Sequence, residues 1–304
     1  MGLLTRTIRR NGVVRGSAKI ASRGLDWAAE RLLPRTSWGD KAFATYQFVK
    51  CHGRLPRKQM LFNDYLYKKK SDGSLLEDQV IRTTDKEFAK EFILEVCEYK
   101  HIVPTISVLR SPEEVRNYKF PMNCVIKPTH ASGLYQIRSN GGLVDYRSIY
   151  AWLSMNYYHW AREENYRFLT PKIIVEPIVF NDVNIVDIKA HCYRGRIRFF
   201  QVDFDRKNDH RRVLYTRDWC LMPYSIGYPL SDRMFDKPIA LSAMIEAIES
   251  IASKFELVRV DLYTQEEHFY VGEITHLPGC ATERFFPAIA EQELSRLMFC
   301  GTNG

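Results

Sequence analysis

The sequence reads as an α+β protein on three observations. Arg259-Val260-Asp261-Leu262-Tyr263 and Phe269-Tyr270-Val271-Gly272-Glu273-Ile274-Thr275 are β-prone runs joined by a polar stretch, residues 264–268, and so form a hairpin. Residues 187–193 and 197–203 repeat that pattern around Arg194-Gly195-Arg196. Two amphipathic helices stand apart from the hairpins. Residues 85–99 carry Phe88, Phe92, Val96 and Tyr99 at spacings of three and four, and residues 238–255 turn Leu241, Ile245, Ile248, Ile251 and Ala252 inward.

Composition narrows the class. The 304 residues suffice for one large or two ordinary domains, and 45% hydrophobic with 26% charged content is globular. No apolar run approaches the roughly 18 residues of a membrane span, and no signal peptide is expected at the N-terminus. Seven cysteines are scattered without a CxxC pair, which favours reduced thiols and a cytoplasmic protein over a disulfide framework or a zinc site.

The charge is uneven. Residues 1–35 hold Arg6, Arg9, Arg10, Arg15, Lys19, Arg23, Arg31 and Arg35 against Asp26 and Glu30, so this head carries +6 of the net +8. Two readings stand: a solubilising tail, or attraction to an anionic membrane surface or polymer. Leu25, Trp27, Ala28, Ala29, Leu32 and Leu33 suit a short amphipathic helix ended by Pro34. No RNA- or DNA-binding motif follows, so no nucleic-acid partner is expected.

In chain order, residues 41–52 have helical apolar spacing, broken by Gly53 and Pro56. Residues 68–73, three lysines then Ser-Asp-Gly, read as a polar turn. After the helix at 85–99, Ile102-Val103-Pro104 leads to a short strand at 105–109. Ser111 caps a helix with Pro112 in its first position. Residues 124–127 form a strand that ends in Lys127, followed by the small, polar loop Pro128-Thr129-His130-Ala131-Ser132-Gly133. Such a loop can wrap an anion with its N–H groups while the lysine reaches phosphate, although no Walker sequence is present. Residues 145–161 read as one aromatic-rich helix, and residues 172–179 as a buried strand with a single acid, Glu176, which calls for a partner. Asp187 and Lys189 share one strand face. Residues 207–212 read as a basic loop, and residues 289–299 as a closing helix.

The hairpin at 259–275 organises the rest. With residues 264–268 as the turn, Arg259 lies opposite Glu273, and Asp261 lies two residues along the same face, with Thr275 on that face too. Two carboxylates and a guanidinium then converge on one patch. Two carboxylates with open positions suit Mg²⁺ with phosphate oxygens.

Taken together, Lys127 before its loop, Glu176 in an apolar strand, Asp187 with Lys189, and the R-x-D…E-x-T hairpin with Pro278-Gly279 resemble the ATP-grasp superfamily. The likeness is greatest to its TupA-like members from bacterial surface-polysaccharide clusters. The supporting strings include His52-Gly53-Arg54-x-Pro56, Asp85-Lys86, Gln201-Val202-Asp203-Phe204-Asp205-Arg206 and Gly227-Tyr228-Pro229, within residues 52–297.

The resemblance implies two α+β subdomains that clamp ATP with Mg²⁺. It divides the chain into a basic extension at 1–40 and an ATP-grasp domain at 41–304. Within that domain it implies an N-terminal lobe (about 41–120), a nucleotide clamp (about 121–180) and a catalytic, metal-holding part (about 181–304). It implies that Lys86, Lys127, Ser132 and Gly133 meet the phosphates, Glu176 the adenine or ribose, and Asp187 and Lys189 the ribose and phosphates. Asp261, Glu273 and Thr275 then form the metal set, Arg259 steadies charge at the reacting carbon, and Arg206 with Lys189 adds anion contacts. Thr275 stands where most ATP-grasp enzymes carry Asn; a hydroxyl is the weaker ligand, which leaves a second Mg²⁺ open.

The implied activity is ATP-dependent carboxylate–amine ligation through an acyl phosphate. The implied substrates are a carboxylate-bearing sugar or polysaccharide precursor and an amine or amino acid. A kinase acting on a sugar hydroxyl, or a non-catalytic polysaccharide-biosynthesis protein, are the alternatives.

Overall fold

The computed structural model describes residues 25–58, 61–97, 101–183, 185–205 and 208–300. Arg206, most of the basic head and Tyr99 lie outside them.

Two antiparallel sheets form the frame. The smaller has four strands in the order β1 (Ser107–Leu109), β4 (Ile173–Glu176), β2 (Cys124–Pro128) and β3 (Gln136–Arg138). The larger has six, in the order β11 (His268–Thr275), β10 (Leu257–Gln265), β5 (Asp187–Tyr193), β6 (Arg196–Phe204), β7 (Arg211–Thr216) and β8 (Leu221–Met222). A small ladder pairs β9 (Ser225–Ile226) with β12 (Phe285–Phe286).

Each sheet has its own core. Ile188, Ala190, Phe200, Val202, Val260 and Leu262 alternate onto one face of the large sheet. There they bury against Met244, Ile248 and Ile251 of the helix Leu241–Ala252, and against Phe92 and Ile93 of the helix Lys86–Val96. Phe199, Leu214 and Leu257 project to the other face, under the helices Ser37–His52, Phe62–Ser71 and Ala290–Phe299. The small sheet packs Ile126, Ile173 and Val175 on Ile149 and Trp152 of the helix Tyr146–Ser154. Residues 41–120 contribute to all three cores.

Several local expectations are corrected. Lys68 to Ser71 are not a turn but the end of the helix Phe62–Ser71. Phe62, Tyr65 and Leu66 bury against Phe199 and Tyr193, and that burial carries the helix through the lysines. The aromatic helix at 145–161 is two helices, Tyr146–Ser154 and Tyr158–Ala161. Asn156 splits them: its side chain accepts from the Tyr158 N–H and donates to the Arg167 carbonyl, in competition with helical bonds. Arg211 and Arg212 begin β7 instead of closing a loop, with Arg212 paired opposite Asp203. Phe88 lies on an exposed side of its helix.

Candidate active site

The hairpin supplies the centre, in a register other than the expected one. Its turn is only Glu266-Glu267, because Gln265 already pairs with His268. Continued without a slip, that ladder would set Asp261 opposite Gly272 and turn Glu273 to the apolar face. Instead the ladder shifts between Asp261 and Leu262: Leu262 pairs with Val271, Gly272 bulges, and Asp261 pairs with Glu273. Arg259 therefore faces Thr275, not Glu273. The observed and expected registers differ by two residues, so all four side chains keep their shared face. Glycine is required at the bulge by space, since a Cβ on Gly272 would stand 2.7 Å from Cε2 of Tyr263.

Arg259 forks onto its neighbour. Its Nε and Nη2 donate to the two oxygens of Asp261 at 2.7 and 2.8 Å, and Nη2 also reaches Thr275 Oγ1 at 3.1 Å. Burial alone would push the Asp261 carboxyl up, but Arg259 and then Lys189 hold it below its ordinary range. On β5, Lys189 pairs in register with Asp261. Its ammonium contacts Asp187 and lies 3.7 Å from both Asp203 and Asp261. One face of the large sheet thus carries an unbroken polar column across three strands. The opposite face is apolar, and the period of two makes that division sharp.

The small sheet contributes a second ionic group. Glu176, at the end of β4, accepts from Lys127 at 2.7 Å and from Lys90 at 2.5 Å. Burial works against its charged form, yet the two ammoniums hold the carboxyl below its usual value. Lys90 is a site residue that the sequence reading missed. Its signal was available, because Lys86 and Lys90 are four apart and share a helix face.

Lys86 opens that helix. Asp85 caps it by accepting from the Glu87 N–H and also accepts from Thr129 Oγ1. The Lys86 ammonium donates to the Ala131 carbonyl at 2.6 Å and lies 3.6 Å from Glu273. The loop at 128–133, the helix and the β10–β11 hairpin therefore meet at one lysine.

These groups line a single cavity of about 270 Å³ between the two sheets. Lys86, Lys127, Ser132, Gly133, Glu176, Asp187, Lys189, Arg259, Asp261 and Glu273 all border it. Thr275 does not; its hydroxyl is engaged with Arg259. Arg206 lies outside the described residues.

The cavity is chemically two-ended. Val125, Ile137, Ile178, Val179 and Ile185 form an apolar wall, while the lysines, Arg259, Asp261 and Glu273 form the charged end. A heterocycle with a polyphosphate tail fits that division. Facing carboxylates fit a hard divalent cation that shares its shell with phosphate oxygens.

Beyond the cavity the polar column continues. His191 Nε2 meets Gln201 Oε1 at 3.0 Å, Gln201 donates to Asp203, and Arg212 donates to Asp203 at 2.6 Å and to Glu283 at 3.0 Å. Burial, with Arg259 nearby, pushes His191 down to about 3, so it is a neutral hydrogen-bonding group.

The chain is similar to proteins already known. The family model described as TupA-like ATPgrasp matches residues 66–298. No curated protein sequence matches. Among solved structures, the chain is similar to D-alanine–D-alanine ligase from Helicobacter pylori, with 16% identity, coverage of 72% of this chain and 62% of that one, and a TM-score of 0.39. It is similar to the D-alanine–D-alanine ligase from Bacillus anthracis complexed with ATP, with 14% identity, coverage of 70% and 63%, and a TM-score of 0.36. It is also similar to the ATP-grasp ligase PsnB complexed with a minimal precursor, with 10% identity, coverage of 78% and 60%, and a TM-score of 0.37. The chain thus spans less than two thirds of the length of each of these three. With the family match extending over most of the chain, from the helix that buries Leu66 to the closing helix at Met298, the protein belongs to the TupA-like ATP-grasp family.

Proposed function

We propose that this protein is an ATP-dependent carboxylate–amine ligase that works with Mg²⁺. The observation that carries the reading is the convergence of Asp261, Glu273 and Arg259 with three lysines, Lys86, Lys127 and Lys189, on one two-ended cavity. Phosphoryl transfer to a carboxylate needs charge neutralised and reactants aligned more than it needs a nucleophilic side chain. When bound, ATP would supply the phosphoryl group, and Mg²⁺ would neutralise part of its charge.

The chain's residues do the rest. Asp261 and Glu273 hold the metal. Lys127 and Lys189 reach the phosphates from opposite sheets, and Lys86 ties the 128–133 loop to them. Glu176 orients Lys127 and Lys90 at the apolar end and faces the base or ribose. Asp187 keeps Lys189 in place. Arg259, held rigid by its fork on Asp261, steadies negative charge where the carboxylate reacts. Thr275 acts through Arg259, as a positioning residue.

For substrates we assign a carboxylate-bearing sugar unit of a surface polysaccharide or its precursor, and an amino acid or simple amine. We assign its place to the cytoplasmic face of the membrane, against an anionic lipid surface.

A screen for ADP formation tests the reading, with uronic acids paired with amino acids and mass detection of the amide. ADP release that needs both partners, with an amide product, is the expected result. ADP release with a sugar alone, giving a phosphorylated sugar, would replace the ligase by a kinase.

A further inference from the structure

Residues 25–32 are helical, and that helix turns Asp26, Ala28 and Ala29 toward the protein. Asp26 accepts from Tyr46 at 2.8 Å and pairs with Lys50 at 2.5 Å, both on the helix Ser37–His52. The buried guanidinium of Arg162 holds the other end, with donors to the carbonyls of Glu30, Leu33 and Pro34 and to Asp40. The outward side mixes apolar and charged groups: Leu25, Trp27 and Leu32 are 59%, 54% and 71% exposed beside the exposed Glu30 and Arg31, and Trp38, just beyond, is 69% exposed. At 3.6 residues per turn, the arc from Trp27 through Arg31 and Leu32 to Leu25 covers roughly half the helix. Arg31 lies over the Trp27 ring.

Single exposed apolar residues are ordinary; an anchored helix that points its aromatic and leucine side chains at solvent is not. The charge beside it selects the occupant. Residues 1–24 lead directly into this helix and contain Arg6, Arg9, Arg10, Arg15, Lys19 and Arg23 with no acid. Trp and Arg side by side, with a polybasic segment, suit the boundary of an anionic bilayer, where rings sit at headgroup depth and cations meet lipid phosphate. Among the described residues no helix is long and apolar enough to cross a membrane.

We infer that Leu25, Trp27, Leu32 and Trp38 form a membrane-facing patch that, with the basic residues before it, docks the protein on anionic lipid. This goes beyond the ligase reading and names the surface that makes the contact. The active site lies elsewhere, so docking and turnover are separable.

The test is cosedimentation of the full chain with phosphatidylcholine vesicles made with and without phosphatidylglycerol. It is paired with deletion of residues 1–24 and with the pair Trp27→Asp and Leu32→Asp. The full chain binds only the anionic vesicles, and added salt weakens binding roughly tenfold or more. The deletion abolishes salt-sensitive binding. The Asp pair removes what persists in salt, together with the blue shift of tryptophan fluorescence on binding. Both variants keep their circular dichroism and melting temperature. If the Asp pair melts early, Trp27→Ser with Leu32→Ser takes its place.

Equal binding to neutral vesicles, no binding at low salt, or unchanged binding by both variants overturns the inference. So does a dimer in light scattering that the Asp pair dissociates while vesicles are ignored, since the patch would then be an interface between copies. Failure of the ligase reading leaves this experiment untouched, because it needs no turnover.

Discussion

Asp261 faces Glu273 across the β10–β11 ladder because Gly272 bulges between Val271 and Glu273. The site depends on a missing side chain: a Cβ at Gly272 would meet the Tyr263 ring at 2.7 Å. Gly272→Ala is expected to lower stability by about 1–3 kcal/mol, as overpacking does. Tyr263→Ala in the same chain returns part of it. Urea unfolding of the two single variants and the double variant measures the coupling; simple additivity would show that the ring does not limit this position.

Asp261→Asn keeps the shape but halves the facing carboxylate pair and loosens the Arg259 fork. Turnover is expected to fall about 10²-fold or more, the scale of one preorganised electrostatic contact. ADP release at saturating Mg²⁺ is the readout. Normal turnover in a folded variant would remove Asp261 from the metal set.

Lys127 is paired with Glu176 at one wall of the cavity. Lys127→Ala should weaken ATP binding about tenfold or more while acceptor binding stays near its original value. Calorimetric titration with each ligand separates the two. Equal loss for both ligands would mean that the wall has collapsed rather than that a phosphate contact was lost.

The buried Glu176 holds the ammoniums of buried Lys90 and half-buried Lys127, so Glu176→Gln leaves both without their counter-ion. Breaking a buried pair in this way costs about 3–5 kcal/mol. Adding Lys90→Met should recover part of that cost. Denaturant midpoints for the single and double variants decide it, and a single variant as stable as the parent would show that water already screens the group.

His191 and His276 are both pushed down to about 3 by burial. Their folded values lie below the ordinary value near 6.5, so the unfolded chain takes up protons first as pH falls. Their stabilising effect is complete above that ordinary value and is lost progressively toward about 3. Over the first one and a half pH units of that fall, each should remove about 2 kcal/mol. Melting temperature against pH from 7 to 5 should slope downward, and His191→Gln with His276→Gln should flatten it. An unchanged slope would place the acid sensitivity in other groups.

Much of the site was legible because its rules are local. A strand alternates faces every two residues, so Arg259, Asp261, Glu273 and Thr275 shared a face under either register. Asp187 and Lys189 follow the same rule, and Ser111 announced its helix start by chemistry that needs no distant partner. Lys127 with its loop and Glu176 in its apolar strand stood out for similar reasons.

What the amino-acid order alone determined, then, was which residues share a face, where the helices at Lys86 and Pro112 begin, and that a lone acid in an apolar strand needs a cation. Which cation it meets was decided only by the tertiary structure. Glu176 meets Lys127 across the β2–β4 pairing, and Lys90 because a helix from one core reaches the sheet of another. The helix through Lys68 to Ser71 and the buried Arg212–Asp203 pair have the same origin. In each, contacts between residues distant in sequence outweigh local preferences worth a fraction of a kcal/mol per residue, roughly the scale of intrinsic helix propensities. The bulge at Gly272 is the clearest case: alternation sets the face, but only packing against Tyr263 selects the residue that is skipped.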